Sequence, residues 1–296
     1  MKSLTKKQNL APYFFVAPFI ISLFIIYLYP FISTVIMSFQ EIVPGETEFI
    51  GFKNYRRLQD PTFFKAIQNS VIYTVLTISL LIPVPMVFAA MLNSKLSFGS
   101  RFFRSVFFVP SLVSVVVAGT IVRLIFAEAD TALINTIIAK FNIEPQNWLL
   151  GTRVHAMFLL LILALWRWTG INIIYFLSGL QTIPNELYEA ADIDGASTVQ
   201  KFLVITMPLL KPIIVFVTTI SILGGLSMFE ESYILWEGIS PDNNGLTIVG
   251  YIYRKGFQHG ELGLGSAVGL VLLLIVVFFN VIQLLLRGFF RKGAEV

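Results

Sequence analysis

The sequence predicts an all-α polytopic membrane protein with about six transmembrane helices, and three observations carry that prediction. Charged residues make up 13% of the 296-residue chain and hydrophobic residues 56%, whereas an ordinary soluble domain carries about 25% charge. Six runs, 8–40, 66–94, 105–122, 168–185, 212–229 and 262–286, contain no Asp, Glu, Lys or Arg. Most of them approach or exceed the roughly 20 apolar residues that cross a bilayer as a helix. Finally, Pro30, Pro83, Pro85 and Pro110 fall in these runs. They remove helical hydrogen bonds and introduce the kinks of a bundle with an internal cavity.

Taken in order, the spans are expected at about 12–38, 67–92, 103–127, 153–180, 210–236 and 264–288. The N-terminal "MKSLTKKQNLAPYFFVAPF" has the lysines and apolar run of a signal peptide. That run is too long for an h-region and no small-x-small site ends it, so it reads as a retained first span. Residues 40–66 are too polar to span, and "TALINTIIAKF" within 128–148 has the spacing of a short surface helix. Gly265 and Gly269, four apart in the last span, allow close helix contact. No internal repeat or low-complexity tract interrupts the chain, which reads as one membrane domain, 1–296.

An even number of spans puts both termini on one side. Placing them in the cytoplasm leaves eleven Lys and Arg inside and eight outside, with Arg123 and Arg167 inside spans. The second loop, "NSKLSFGSRFFR", is purely basic. The positive-inside rule therefore puts both termini in the cytoplasm of a multi-pass cell-membrane protein.

Catalysis is not indicated. There is no cysteine, and His155 and His259 have no metal-ligand spacing. No Gly-Lys dipeptide occurs, which excludes the usual phosphate-wrapping loop of an ATPase. The net charge of +4 fits a positive-inside protein and gives no reason to expect nucleic acid.

The fourth loop, 181–209, is different. Asn185 reads as an N-cap, Glu186 and Glu189 sit near the positive end of the helix dipole, and Gly195 suits a left-handed helix stop. Ser197 and Gln200 have capping-box spacing for a second helix, which Pro208 bends. Leu187, Ala190 and Ala191 form a small, apolar face among Glu186, Glu189 and Asp192. Such a helix–turn–helix is either an ordinary surface element or a piece that docks into a groove on a soluble partner.

The string "LQTIPNELYEAADIDGA", with Phe202, Ile205, Pro208 and Pro212 beyond it, resembles the EAA loop of binding-protein-dependent ABC importer permeases. It looks like the sugar-importer branch, that of the maltose and glycerol-phosphate permeases. "GFKNYRRLQDPTFFKAIQNSVIYT", "FVPSLVSVVVAGTIVRLIF" and "YIYRKGF" with "LGLGSAVGL" are similar to further stretches of that branch. After the fifth span the family's T-x-G-G-P turn is replaced by "WEGISPDNNG".

The resemblance implies a type I ABC importer permease fold whose cytoplasmic loop couples to an ATPase through Glu189, Ala190, Ala191, Asp194, Gly195 and Ala196. It implies a second homologous permease, in a heterodimer, and two ATPase subunits. It also implies an extracellular or periplasmic sugar-binding protein and a carbohydrate substrate, an oligosaccharide. ATP and Mg would be bound by the ATPase, with no cofactor or metal on this chain. The alternatives are an importer of a non-sugar solute and a non-transporting membrane scaffold that recruits an ATPase.

Carried over from the maltose-type pattern, the substrate positions are Ser111, Trp168, Ser221, Gly225 and Met228. The serines offer hydroxyls and Trp168 a ring face. The competing reading has the serines bonded to their own helices and Trp168 packed. Gly225 and Met228 replace polar contacts, so the same sugar geometry is not expected, and Gly224 and Gly225 leave room for a ligand or a neighbouring helix. A mid-membrane arginine costs about 2.5–3.5 kcal/mol. Arg123 and Arg167 are therefore either contacts for an acidic substrate such as a uronate oligosaccharide, or structural. The structural reading is preferred, with Arg123 reaching an interface and Arg167 paired with a carbonyl, Glu230 or Glu231.

Overall fold

The computed structural model describes residues 6–43, 45–93 and 99–292. Backbone proximity divides it into two compact units. One comprises the chain up to Asp60 with Ile252–Leu273, the other Pro61–Tyr251 with the chain from Leu274.

In the first unit, Pro12–Met37 forms a long helix, and its most apolar stretch has no residue buried. Pro30 cannot donate to the turn before it. The helix widens to a π-turn at Leu23–Leu28, where Tyr29 N–H bonds to Phe24 O. A two-stranded antiparallel hairpin follows, β1 Gln40–Val43 and β2 Glu46–Phe49, with Gln40 opposite Phe49. Strands of four residues are too short to show an alternating pattern in the sequence. Buried Asn54 holds the strand entrance, its Nδ2 donating to Ser38 O at 3.0 Å and Gln40 O at 2.9 Å. Gly265 approaches Gly256 closely enough that a Cβ would lie 3.0 Å from its Cα, whereas Gly269 faces open space.

The second unit is organised by the fourth span, Arg153–Leu180. Leu159, Leu160, Leu163 and Ala164 on one stretch pack with Ala118, Val122 and Phe126. Ile173, Phe176, Leu177 and Leu180 further along pack with Met86, Ala89, Leu210 and Val217. At Gly170 the span meets the backbone of another helix directly, since a Cβ there would fall 1.9 Å from Phe107 O.

Two spans depart from their expected outlines. The third is two helices, Phe102–Leu112 and Val115–Ile125, bent by 96°. Val113 and Ser114 adopt extended ψ of 133° and 139°, so the chain leaves the helix there rather than kinking at Pro110. The fifth comprises Thr198–Leu209 and Lys211–Leu226, bent by 67°. It ends at Leu226, and Glu230–Trp236 is a separate helix. Pro208, like Pro30, follows a π-turn, here Phe202–Thr206. The second span runs Pro61–Asn93, with Pro83 starting its second helical segment. The helix expected within 128–148 is Leu133–Ala139. Part of the basic loop expected over 93–104, residues 94–98, lies outside the described residues.

Candidate functional site

Two places in the second unit carry functional geometry: the loop after the fourth span, and a cavity beside the fourth and fifth spans.

The loop begins with a helix, Asn185–Ile193, whose N-cap is Pro184 rather than Asn185, with no side chain capping it. Proline supplies the non-helical entry, and Asn185 is already in the first turn. The other end is a Schellman motif: Gly195 N–H bonds to Asp192 O at 3.1 Å and Ala196 N–H to Ala191 O at 2.9 Å. Gly195 makes this possible with φ +75°, in the left-handed region that glycine enters without steric cost. The capping box is complete, Ser197 N–H reaching Gln200 Oε1 at 2.8 Å and Gln200 N–H reaching Ser197 Oγ at 3.3 Å.

This helix stands clear of the core. Glu189, Ala190, Asp194 and Gly195 are exposed, and Ala191 and Ala196 are half-buried. Apolar Ile193 is 88% exposed and Leu187 43%. Two contacts link it to the following helix: the Tyr188 hydroxyl meets Thr206 Oγ1 at 2.8 Å, and Lys201 forms an ion pair with Asp192. The result is an exposed short helix with Leu187 and Ile193 at its surface and four carboxylates nearby.

The cavity measures about 160 Å³. Trp168, Ser221, Gly225 and Met228 line it together, so four of the five carried-over positions converge. Its wall also contains Tyr73, Thr77, Asn172, Tyr175 and Glu231. Of these, the sequence reading names Glu231 alone, as a partner for Arg167, although Asn172 is the one amide between Trp168 and Leu180. Thr77 Oγ1 bonds back to Tyr73 O, 2.9 Å away, and Thr74 O, 3.0 Å away. Ser111 lies outside this wall and donates to Phe108 O at 2.7 Å. The two glycines divide the roles open to them. A Cβ on Gly225 would lie 2.6 Å from Thr74 Oγ1, so this glycine seats the second span, while Gly224 opens into space.

The arginines also separate. Arg123 is outside the cavity and pairs with Glu237, whose carboxyl that hydrogen bond holds below the usual range. Arg167 Nη1 donates to Glu231 Oε1 at 3.2 Å, both side chains being 13% exposed. The Arg167 guanidinium also lies 5.2 Å from the Trp168 ring centroid, a cation–π contact. A larger groove of about 750 Å³, lined by Phe88, Phe103, Phe107, Phe202 and other apolar groups, has Thr198 as its one polar contributor among the described residues. A polar solute is recognised by several convergent hydrogen-bonding groups, which the described lining of that groove does not offer.

Residues 81–292 match the model of the family described as the binding-protein-dependent transport system inner membrane component. The chain belongs to this family. Its relatives include the arabinooligosaccharides transport system permease protein AraP of Bacillus subtilis (strain 168), 52% identical over 290 residues, covering 98% of this chain and 92% of AraP. The lactose transport system permease protein LacF of Rhizobium radiobacter is 35% identical over 285 residues, covering 95% of each chain. The fold matches the crystal structure of a bacterial ABC transporter involved in the import of the acidic polysaccharide alginate. That match has a TM-score of 0.81 at 26% identity, over 94% of this chain and 96% of the other. The permease is thus a membrane component of a transport system, with the fold of an ABC importer, and not an enzyme.

Proposed function

We propose that this permease carries an oligosaccharide across the cell membrane by alternating access, driven by ATP hydrolysis on a separate ATPase. The observation that carries the reading is the helix Asn185–Ile193, with no residue buried and closed by the Gly195 turn. Glu189, Ala190, Ala191, Asp194, Gly195 and Ala196 are its coupling residues, seated in a cleft of the ATPase. The substrate class is supported by relatives that bear the names of sugars, AraP and LacF among them.

The assembly has a second homologous permease, two ATPase subunits that bind ATP and Mg, and an extracellular or periplasmic sugar-binding protein. Both termini lie in the cytoplasm, which puts the coupling loop on the ATPase side. A substrate-loaded binding protein docks outside, ATP closes the ATPases, and the spans open outward; hydrolysis returns the cavity to the inside. The two states must make different contacts for ATP to shift their balance, and the loop is where those contacts are made. Trp168, Ser221, Gly225 and Met228 mark the substrate site, with Ser111 apart from it in this conformation.

The test is Glu189→Lys in the assembled complex, reconstituted with its binding protein. Insertion should be normal and substrate-stimulated ATP hydrolysis and uptake should fall together. Normal uptake and ATPase binding in this variant would remove the coupling assignment. If the wild-type complex hydrolyses ATP without moving any solute, the chain is a scaffold; if it moves only non-sugar solutes, the substrate class is wrong.

A further inference from the structure

We propose that Glu231 makes the cavity selective for uncharged sugars, with Arg167 as its positioning residue. This rests on the carbohydrate reading and names the class of carbohydrate.

Glu231 is part of the cavity wall, and no Lys or Arg is among the described residues that line it. The remaining polar groups, on Tyr73, Thr77, Asn172, Tyr175 and Ser221, are neutral. Arg167 is the cation next to the site, but it is occupied. Its Nη1 is bonded to Glu231 Oε1, its guanidinium rests on Trp168, and its Nε is buried without an acceptor. An arginine meant to recruit a uronate would present its paired N–H donors to the ligand, because the fork matches a carboxylate. Here one arm of that fork, Nη1, is bonded to the protein's own carboxylate.

Two consequences follow for a ligand. A sugar hydroxyl can donate to Glu231, and a hydrogen bond to an ionised acceptor is roughly twice as strong as one between neutral groups. A ligand carboxylate would instead sit against Glu231 with no cation on the wall to compensate, and poor solvation magnifies that repulsion. Arg167 holds the Glu231 carboxylate in place through its Nη1, since a buried charge is tolerated when paired. By stacking on Trp168 it also fixes the ring, which is 40% exposed.

The experiment measures direct binding to the assembled transporter in nanodiscs without its binding protein, so that the permease's own preference is read. The probes are arabinotriose and tri-galacturonic acid, followed by titration calorimetry. In the wild type the neutral trimer should bind at least about tenfold tighter, a difference of about 1.4 kcal/mol. Glu231→Gln should weaken the neutral trimer and shrink the ratio to about threefold or less. Glu231→Gln with Arg167→Gln, which leaves no orphaned charge, should show the same small ratio if the single variant does not assemble. Arg167→Gln alone, which removes the group that positions Glu231, should weaken binding of the neutral trimer and shrink the ratio as well.

An unchanged ratio in the Glu231 variants, or equal binding of the two trimers by the wild type, would overturn the proposal while leaving carbohydrate transport intact. Binding of neither trimer, together with no uptake of any carbohydrate by the complete system, would instead overturn the carbohydrate reading and this inference with it.

Discussion

The coupling loop and the cavity belong to the same compact unit and are built on opposite principles. The loop is polar, exposed and shaped by local rules: a Schellman turn at Gly195, a capping box at Ser197 and Gln200, and an ion pair nine residues apart between Asp192 and Lys201. The cavity is assembled from distant parts of the chain, Tyr73 and Thr77, Trp168 and Asn172, Ser221 and Glu231. Damage to the loop should therefore uncouple the machine without unfolding it. Damage to the cavity should cost stability as well as transport.

The largest effect is expected at the ion pair. Arg167→Met leaves Glu231 buried and unpaired, at a cost of about 3–5 kcal/mol. A drop in the melting temperature of the purified complex would report it, and a change near zero would mean that the pair is open to water. Next comes Gly225→Val, whose Cβ would meet the Thr74 side chain at 2.6 Å. Overpacking of this kind costs about 1–3 kcal/mol, and Gly224→Ala, one residue away in open space, is the control that should be near neutral.

Gly195→Val probes the loop. No atom lies within 4 Å of a Cβ at Gly195, so nothing clashes, and the penalty is the left-handed backbone, about 1–2 kcal/mol. Global melting should barely move, while uptake per ATP hydrolysed falls steeply. A melting shift as large as that of Gly225→Val would erase the contrast between the two regions. The smallest effect belongs to Tyr188→Phe, which removes one hydrogen bond worth about 0.5–1.5 kcal/mol. Because that bond ties the loop to Thr206, it should lower coupling measurably with little change in melting.

The same contrast explains what could be read from sequence. The loop's turn and capping box were legible because both are written in neighbouring residues, and only the N-cap moved, from Asn185 to Pro184. In the cavity, the long-range convergence of Tyr73 and Tyr175 has no local pattern to betray it. Glu231 was recognised as a partner for Arg167 but not as part of the wall, since an ion pair can be guessed from charge economy whereas an orientation cannot. Pro110 predicts a kink in the third span, yet the 96° break falls beyond it at Val113–Ser114, with Ser114 as the N-cap of the next helix. Tertiary packing decides such bends.

The contact at Gly170 has a consequence for how this chain can vary. A methyl group there would lie 1.9 Å from Phe107 O, and the obstacle is backbone, which no rotamer change can move. Alanine, the smallest step available to a glycine, is already blocked. The position has no neighbours in sequence space that the fold tolerates one at a time: leaving glycine requires the path of a second helix to shift with it. A lineage that explores new substrates through the cavity walls therefore does so around a pivot it cannot edit.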